Sequence, residues 1–164
     1  MIFVTVGTHE QPFNRLVKTI DNLVGNGVIK EDVIVQYGFS TYKLQYCKGY
    51  PMMDYNEMQN SFKEARIVIT HGGPSSFIEA LQYGKVPIVV PRRLKYSEHV
   101  NDHQVDFVKL IAKKMNNIIP VYDIENLGQT IREYDKLIKG MNTSEKSNNL
   151  KFNNDLEKIV NEMI

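Results

Sequence analysis

A glycine-rich turn at residues 71–76, HGGPSS, is the stretch of this sequence best suited to chemistry. Pro74 suits the first position of a helix, where its missing N–H is not needed. Ser75 and Ser76 place hydroxyls beside the free N–H groups of that first turn. A strand–turn–helix unit of this kind binds anions, and phosphate above all, through backbone donors and the positive end of the helix. Gly72 and Gly73 alone would be equally typical of an ordinary tight turn between a strand and a helix. The phosphate interpretation therefore needs support from the rest of the chain.

A second glycine turn supports that interpretation. Gly7 and Thr8 follow an apolar strand at 2–6 and precede a helix. They would give a phosphate a further set of N–H donors and a hydroxyl. Taken alone, this pair is equally typical of a simple turn, so the two turns together are better evidence than either one.

Glu79 lies one turn into the helix that follows the 71–76 turn, among the apolar side chains of Phe77, Ile78, Ala80 and Leu81. A carboxylate only accepts hydrogen bonds, so it suits the two hydroxyls of a ribose diol. The alternative is an ordinary glutamate on the surface of a helix.

The densest polar cluster is formed by His99, Asp102, His103 and Gln104. The spacing of its two histidines is compatible with zinc on a helix, but zinc needs a third ligand and usually the glutamate of HExxH. Neither is evident in the sequence, so a metal site is disfavoured. We interpret His103 and Gln104 as hydrogen-bonding partners for sugar hydroxyls, the alternative being solvated loop residues.

His9 and Glu10 are candidates for a general base, because an imidazole that titrates near neutrality stands beside a carboxylate. Adjacency on a loop does not by itself make a working pair. A serine hydrolase is disfavoured by the absence of a GxSxG elbow. The phosphate-loop signature of NTPases and the GxGxxG fingerprint are absent as well.

The composition restricts the class of protein. The chain has 164 residues, enough for one domain with a sizeable core, and a formal net charge of +1. This charge argues against a nucleic-acid partner held by bulk electrostatics. Cys47 is the only cysteine, which excludes a disulfide framework and fits a reduced compartment. We expect no signal peptide and no membrane span, because no window approaches about 18 apolar residues.

Helices alternate with strands along the chain, which predicts an α/β fold: a single Rossmann-like domain with a mainly parallel sheet. Ligands of such sheets bind beyond the carboxyl ends of the strands, so the loops 7–12, 71–76 and 92–104 should meet there. We expect one domain over residues 1–164, with a C-terminal helix within 143–164 that packs on the domain rather than on a partner. The predicted strands are 2–6, 33–37, 67–69, 87–91 and 118–122, with a further short strand near 45–48, and the predicted helices are 13–24, 56–64, 74–83, 102–114 and 124–138.

Four segments in the same order carry a resemblance to a known family: VTVGTHEQPFNRLV at 4–17, HGGPSSFIEAL at 71–81, GKVPIVVPRR at 84–93 and HVNDHQ at 99–104. They resemble the C-terminal, nucleotide-sugar-binding half of family 28 glycosyltransferases, which have the GT-B fold. The chain is more specifically similar to the catalytic subunit of bacterial two-subunit exopolysaccharide or capsule glycosyltransferases. That subunit in turn is similar to the cytosolic subunit of the eukaryotic two-part GlcNAc transferase of the dolichol pathway.

The resemblance implies roles for matching residues. Glu79 would bind the ribose, His103 and Gln104 the transferred sugar, and the backbone near Asp54 and Tyr55 the uracil edge. His71 would touch phosphate or brace the loop. The diphosphate would lie between two groups of residues, Gly72, Gly73, Ser75 and Ser76 on one side and Gly7 and Thr8 on the other.

The resemblance also implies a reaction and partners. It implies an inverting transferase in which an acceptor hydroxyl attacks the anomeric carbon of a UDP-sugar and UDP leaves, with no metal or other cofactor. Galactose is the favoured sugar and UDP-GlcNAc the second choice as donor. The acceptor, a lipid-linked saccharide, and the second half of the enzyme would come with a membrane-anchored partner subunit. This would place the chain in the cytoplasm at the inner face of the membrane, and self-association is possible as well.

The sequence departs from the family pattern at two places, and it is compatible with two alternative functions. Pro74 stands where relatives often have a small residue, and His9–Glu10 replaces the small polar residues of the eukaryotic subunit. The first alternative is a non-catalytic nucleotide-sugar-binding subunit whose partner completes catalysis. The second is an unrelated flavodoxin-like binding module without affinity for UDP.

Overall fold

The computed structural model describes residues 1–141, 154, 157–159 and 161. Six strands form one sheet in the order β3-β2-β1-β4-β5-β6, and every neighbouring pair is parallel. The strands are β1 (Ile2–Thr5), β2 (Val33–Gln36), β3 (Lys48–Tyr50), β4 (Ile67–His71), β5 (Ile88–Val90) and β6 (Ile119–Pro120).

Helices lie in the connections β1–β2, β3–β4, β4–β5 and β5–β6, as is usual for parallel strands, and further helices follow β6. They are α1 (Asn14–Gly25), α2 (Tyr55–Glu64), α3 (Pro74–Gln82), α4 (His103–Met115), α5 (Leu127–Arg132) and α6 (Tyr134–Leu137). The single helix predicted over 124–138 is wrong in its continuity. A 3-10 turn at Ile124–Asn126 precedes α5, and α5 and α6 are separated at Glu133.

Both faces of the sheet are covered by apolar side chains. In β4, Ile67 and Ile69 belong to the cluster beneath α1 and α5, whereas Val68 belongs to the cluster beneath α2 and α3. Burial on both faces explains why the central strands are almost uninterrupted apolar runs. The side chains of β4 are fully buried as far as Thr70.

The connection between β2 and β3 is held by one buried carboxylate. Asp21 of α1 accepts hydrogen bonds from the Tyr42 hydroxyl and from the backbone N–H groups of Gln45, Tyr46 and Cys47. Burial acts to raise the pKa of Asp21, but these hydrogen bonds outweigh it and lower that pKa. The short strand follows this anchored segment, at Lys48–Tyr50 rather than near 45–48.

The sheet order places a crevice between the loops that follow β1 and β4. The chain runs from β1 towards β3 on one side and resumes with β4 on the other side of β1, so the connections diverge at this point. Such a topological switch point is where open parallel sheets bind ligands. The C-terminal helix predicted within 143–164 lies outside the described residues except for 154, 157–159 and 161, which are helical, with Ile159 buried beside Phe77 and Phe107.

Candidate functional site

A cleft of about 810 Å³ opens at the carboxyl end of the sheet, over the switch point. Segments that follow five different strands contribute to it, as expected from the parallel topology. The predicted site residues that line it are Gly7, Thr8, His9, Glu10, His71, Ser75, Ser76, Glu79 and Gln104.

The first turn of α3 faces this cleft. Gly73 is the N-cap residue, Pro74 occupies the first turn, and no side chain caps this end of the helix. The hydroxyl-bearing Ser75 and Ser76 follow, and Ser75 is exposed. An uncapped helix N-terminus carries partial positive charge and unpaired N–H groups, so the arrangement suits an anion.

His71, the last residue of β4, organises the turn. Its ring Nδ1 accepts a hydrogen bond from the Gly73 N–H at 3.0 Å, so the ring proton lies on Nε2, which contacts the Ser76 hydroxyl at 3.0 Å. Burial and the neighbouring Arg92 lower the pKa of His71 to about 3. The ring is therefore neutral at physiological pH, and it holds Ser76 as an acceptor so that the Ser76 hydroxyl proton remains available to a ligand.

The two glycines around His71 are explained by its ring. A Cβ at Gly7 would lie 2.4 Å from the His71 Nε2, and a Cβ at Gly73 would lie 2.2 Å from its Cε1. Gly7 also has φ +77°, a conformation that favours glycine. The glycines therefore admit the imidazole between two loops, which is a reason that the sequence pattern did not reveal.

Gln104, in the first turn of α4, links two backbone segments. Its side-chain oxygen accepts hydrogen bonds from the N–H of Gly72 at 3.1 Å and from the N–H of Arg92 at 3.0 Å. The N–H groups of Gly72 and Gly73 are thus donated within the protein, and neither glycine lines the cleft. Their role as phosphate ligands, like that of Gln104 as a sugar ligand, stays a prediction.

Glu79 faces the cleft from the second turn of α3. Its carboxylate accepts a hydrogen bond from the Gln59 amide of α2, and the Gln59 oxygen in turn accepts from the Tyr83 hydroxyl. This chain of hydrogen bonds orients the carboxylate, and among the described residues Gln59 is its only hydrogen-bonding partner. A second carboxylate oxygen is thus left for a ligand hydroxyl.

Besides Gly72 and Gly73, three predicted residues lie outside the cleft lining. Asp54 is the N-cap of α2 and forms a capping box with Glu57, which uses its side chain locally. Tyr55 is 76% exposed, and His103 is exposed at the start of α4. The segment just before Asp54 does reach the cleft, because Met52 and Met53 line it.

His9 and Glu10 lie at the mouth of the cleft without a hydrogen bond between them. The His9 Nε2 lies 2.6 Å from the side-chain oxygen of Gln11, whereas Glu10 is exposed. The His9 ring stacks on that of His99, with centroids 4.6 Å apart and planes at 11°. His99 also lines the cleft, a role that its sequence, as part of a polar cluster, does not reveal.

Two charged residues of the 92–102 loop are buried, which the sequence pattern did not predict. The Arg92 side chain is fully buried and donates to the carbonyl oxygens of Val6 at 2.7 Å, Gln11 at 2.7 Å and Glu98 at 3.1 Å. Glu98 is 2% exposed and forms a two-pronged ion pair with Arg15, both contacts at 2.9 Å. The polar sequence of the loop predicts ligand-facing side chains, because nothing in it indicates partners about 80 residues away.

Two further residues fix the loop after β1. Gln36 donates to the carbonyl oxygens of Gly7 and Pro51, and its own oxygen accepts from the Thr5 hydroxyl at 2.6 Å.

Phe39 and Met58 complete the apolar side of the cleft together with Met52 and Met53. Within the described residues, no three His, Cys, Asp or Glu side chains gather closely enough to hold a metal ion.

No helix in the described part of the chain is long and apolar enough to span a bilayer.

A family model matches the sequence, and solved structures share the fold. The model of the glycosyltransferase family 28 C-terminal domain matches residues 1–160. MurG from Acinetobacter baumannii is similar in structure, with 15% identity and a TM-score of 0.56, over 82% of this chain and 42% of MurG. The glycosyltransferase of kitacinnamycin is similar over 99% of this chain and 39% of its own, with 14% identity and a TM-score of 0.55. No curated protein matches the sequence.

Identities this low show the fold, and the predicted single α/β domain with a parallel sheet is confirmed as one that corresponds to the C-terminal half of a GT-B glycosyltransferase. The chain spans about two fifths of the length of these solved relatives.

Proposed function

The chain belongs to the family of glycosyltransferase family 28 C-terminal domains. On that premise, we propose that it is the donor-binding subunit of a UDP-sugar-dependent inverting glycosyltransferase. The transferred sugar is a hexose, with galactose favoured, and the acceptor is a lipid-linked saccharide of exopolysaccharide or capsule synthesis. The resemblance of the sequence to two-subunit transferases supports this finer assignment.

One observation supports the proposal most: the uncapped first turn of α3, with its two serines, and the oriented carboxylate of Glu79 line the same cleft. A nucleoside diphosphate presents the matching pair of groups, two phosphates next to a ribose diol. The phosphates would lie against Ser75 and Ser76, with Thr8 opposite. Glu79 would accept hydrogen bonds from the ribose hydroxyls.

We assign the nucleobase and the transferred sugar of the donor to other parts of the cleft. The nucleobase would lie on the apolar side of the cleft, beside Met52 and Met53, where the backbone leading to Asp54 and Tyr55 could meet its polar edge. The transferred sugar would lie towards the start of α4, near Gln104.

The chemistry follows from these placements. A hydroxyl of the acceptor attacks the anomeric carbon, the bond from that carbon to the phosphate oxygen breaks, and UDP leaves with the electron pair. Negative charge grows on the β-phosphate as this happens. The N-terminus of α3 and the serine hydroxyls stabilise that charge without having to reorganise. The acceptor's proton passes to a base at the mouth of the cleft, where His9 and Glu10 are the candidates.

The acceptor half of the enzyme is proposed to come from a membrane-anchored partner subunit. In this arrangement the chain works at the cytoplasmic face of the membrane, with its cleft turned towards the partner and the lipid-linked saccharide. The resemblance of the sequence to the catalytic subunit of two-subunit transferases supports this arrangement.

Calorimetric titration of UDP tests donor binding directly. We expect saturable binding by the wild-type chain, weakened by roughly 1–3 kcal/mol in Glu79→Ala through loss of a charge-assisted contact. Glu64→Ala is the matched control, since Glu64 is an exposed glutamate at the end of α2, beside the opposite edge of the sheet. No heat at millimolar UDP, or equal affinity in all three proteins, would contradict the proposed site.

A further inference from the structure

The stacked imidazoles of His9 and His99 join two loops at the mouth of the cleft. One ring comes from the loop after β1 and the other from the 92–102 loop, and the planes are nearly parallel at 11°. Both residues line the cleft. Two flat rings at this distance restrict each other's rotation, so His9 has a defined position on an otherwise accessible loop.

Gln11 selects the tautomer of His9. Its side-chain oxygen can only accept, and it lies 2.6 Å from the His9 Nε2, so the ring proton is on Nε2. Nδ1 is then the nitrogen that can take a proton, and no described residue hydrogen-bonds to it. An oxygen that fixes one imidazole nitrogen while the other exchanges protons is the arrangement of known catalytic histidines.

His99 is suited to remain neutral beneath a partner that becomes charged. Burial and the proximity of His9 and Arg92 lower the pKa of His99, and its Nδ1 accepts from the Asn101 N–H at 3.4 Å. A neutral ring face stabilises a neighbouring cation, whereas a second imidazolium would repel it. Arg92, buried behind the loop, thus contributes through its charge to keeping His99 neutral.

We propose that His9 is the general base of the reaction, and that Gln11 and His99 are positioning residues that hold its tautomer and its ring. The inference rests on the proposed transferase function and deepens it. As the bond forms between the acceptor oxygen and the anomeric carbon, the hydroxyl proton moves to the His9 Nδ1. The Gln11 oxygen accepts from Nε2–H before and after this transfer, and the proton later returns to solvent.

Glu10 is excluded from the base role in this arrangement. Its side chain is exposed and no described residue holds it by a hydrogen bond, so nothing keeps its carboxylate at a fixed distance from an acceptor hydroxyl. General bases need such a distance, within hydrogen-bond reach of the proton.

NMR of the histidine side chains tests the positioning without donor or acceptor. The nitrogen shifts of His9 should report the Nε2–H tautomer, and Gln11→Ala should convert it to a mixture of tautomers. The ring-current shift of His9 should disappear in His99→Ala and persist in His99→Phe, which retains a flat ring. A mixed tautomer in the wild-type chain, or a His9 signal that is indifferent to His99→Ala, would overturn the proposed positioning.

Transfer measurements test the catalytic role. Membranes from a strain that lacks this chain would be supplied with purified variants and labelled UDP-galactose, and incorporation into lipid-linked saccharide would be followed. His9→Gln should lower kcat by about 10²–10⁴-fold, the range of general-base catalysis. His99→Ala should lower kcat by roughly tenfold with the donor KM unchanged, and His99→Phe should restore most of it. Lys95→Ala, an exposed change in the same loop, is the control.

The outcomes separate the two proposals. Absence of incorporation with the wild-type chain, from UDP-galactose and from UDP-GlcNAc, would contradict the transferase proposal and with it the role of His9 as a base. Incorporation that is reduced more by Glu10→Gln than by His9→Gln would overturn this inference alone. An equal rise in donor KM in His99→Ala and His99→Phe would also overturn it, because it would assign His99 to donor binding.

Discussion

The glycine turn at 71–76 and the 92–102 loop lie side by side at the same edge of the sheet, but they are built differently. In the glycine turn, the hydrogen bonds that His71 makes to Gly73 and Ser76 run to residues within five positions, and Gln104 adds a distant partner for Gly72. In the 92–102 loop, Arg92 and Glu98 are bound to residues more than 75 positions away. The glycine turn can be interpreted largely from its own sequence, whereas the contacts of the 92–102 loop can be recognised only from the fold.

Polar residues that follow a strand are therefore not all ligand-facing. Glu98 pairs with Arg15, whose guanidinium also stacks on the Tyr96 ring at 4.7 Å. The 92–102 loop thus acts mainly as a scaffold and offers His99 to the cleft, while the glycine turn offers donors. If this division is correct, substitutions in the 92–102 loop should affect stability first, and those in the turn should affect binding too.

The largest expected effect is that of Glu98→Ala. Removing a 2% exposed carboxylate leaves Arg15 without its ion-pair partner, and breaking such a pair costs about 3–5 kcal/mol of unfolding free energy. Urea denaturation would measure it. Asp135→Ala removes a partner of the surface cation Arg66, and should cost under about 1 kcal/mol. Similar losses in both variants would contradict the scaffold role of the 92–102 loop.

Gly73→Ala comes next and acts on the glycine turn. The new methyl group would lie 2.2 Å from a carbon of the buried His71 ring, and overpacking of this kind costs roughly 1–3 kcal/mol. We expect lower stability together with weaker binding of UDP. Gly140→Ala is the control, because a Cβ there meets nothing within 4 Å. If His71→Ala does not relieve the defect of Gly73→Ala in the double variant, the clash with the His71 ring is not its cause.

The smallest effect is a pH dependence that originates in the glycine turn. Burial lowers the pKa of His71 from the ordinary 6.5 to about 3, so the unfolded chain binds more protons than the folded chain between these values. The stability from His71 is thus fully present above pH 6.5 and is lost as the pH falls towards 3, by at most about 1.4 kcal/mol per pH unit. Denaturation at pH 7.5 and 5.0 should show a smaller difference in His71→Asn than in the wild type. An unchanged difference would show that His71 is not the source.

The fold was predictable from the sequence because its signals are local. Apolar runs such as 67–69 and the helical spacing between them are sufficient to predict a parallel sheet with a binding edge. The glycine turn was predictable for the same reason, although the purpose of Gly7 and Gly73 was not, because it depends on the His71 ring between them. The break at Glu133 was missed, since the apolar spacing of 124–138 continues through it.

The unpredicted part of the site consists of contacts between distant segments. The stack of His9 on His99 joins residues 90 positions apart, and the buried links of Gln36 and Arg92 also run between separate loops. No periodicity or motif marks such partners in one sequence. Conversely, the neighbouring positions of His9 and Glu10 suggest a pair that the structure does not form, because His9 is hydrogen-bonded to Gln11 instead.

A crystal structure of the chain with bound UDP would show whether this cleft is the donor site. We expect the diphosphate against the first turn of α3, within hydrogen-bond distance of Ser75 and Ser76, and the ribose hydroxyls on Glu79. UDP bound at another surface, or in the cleft with Glu79 contacting only Gln59, would contradict the assignment of this cleft as the donor site.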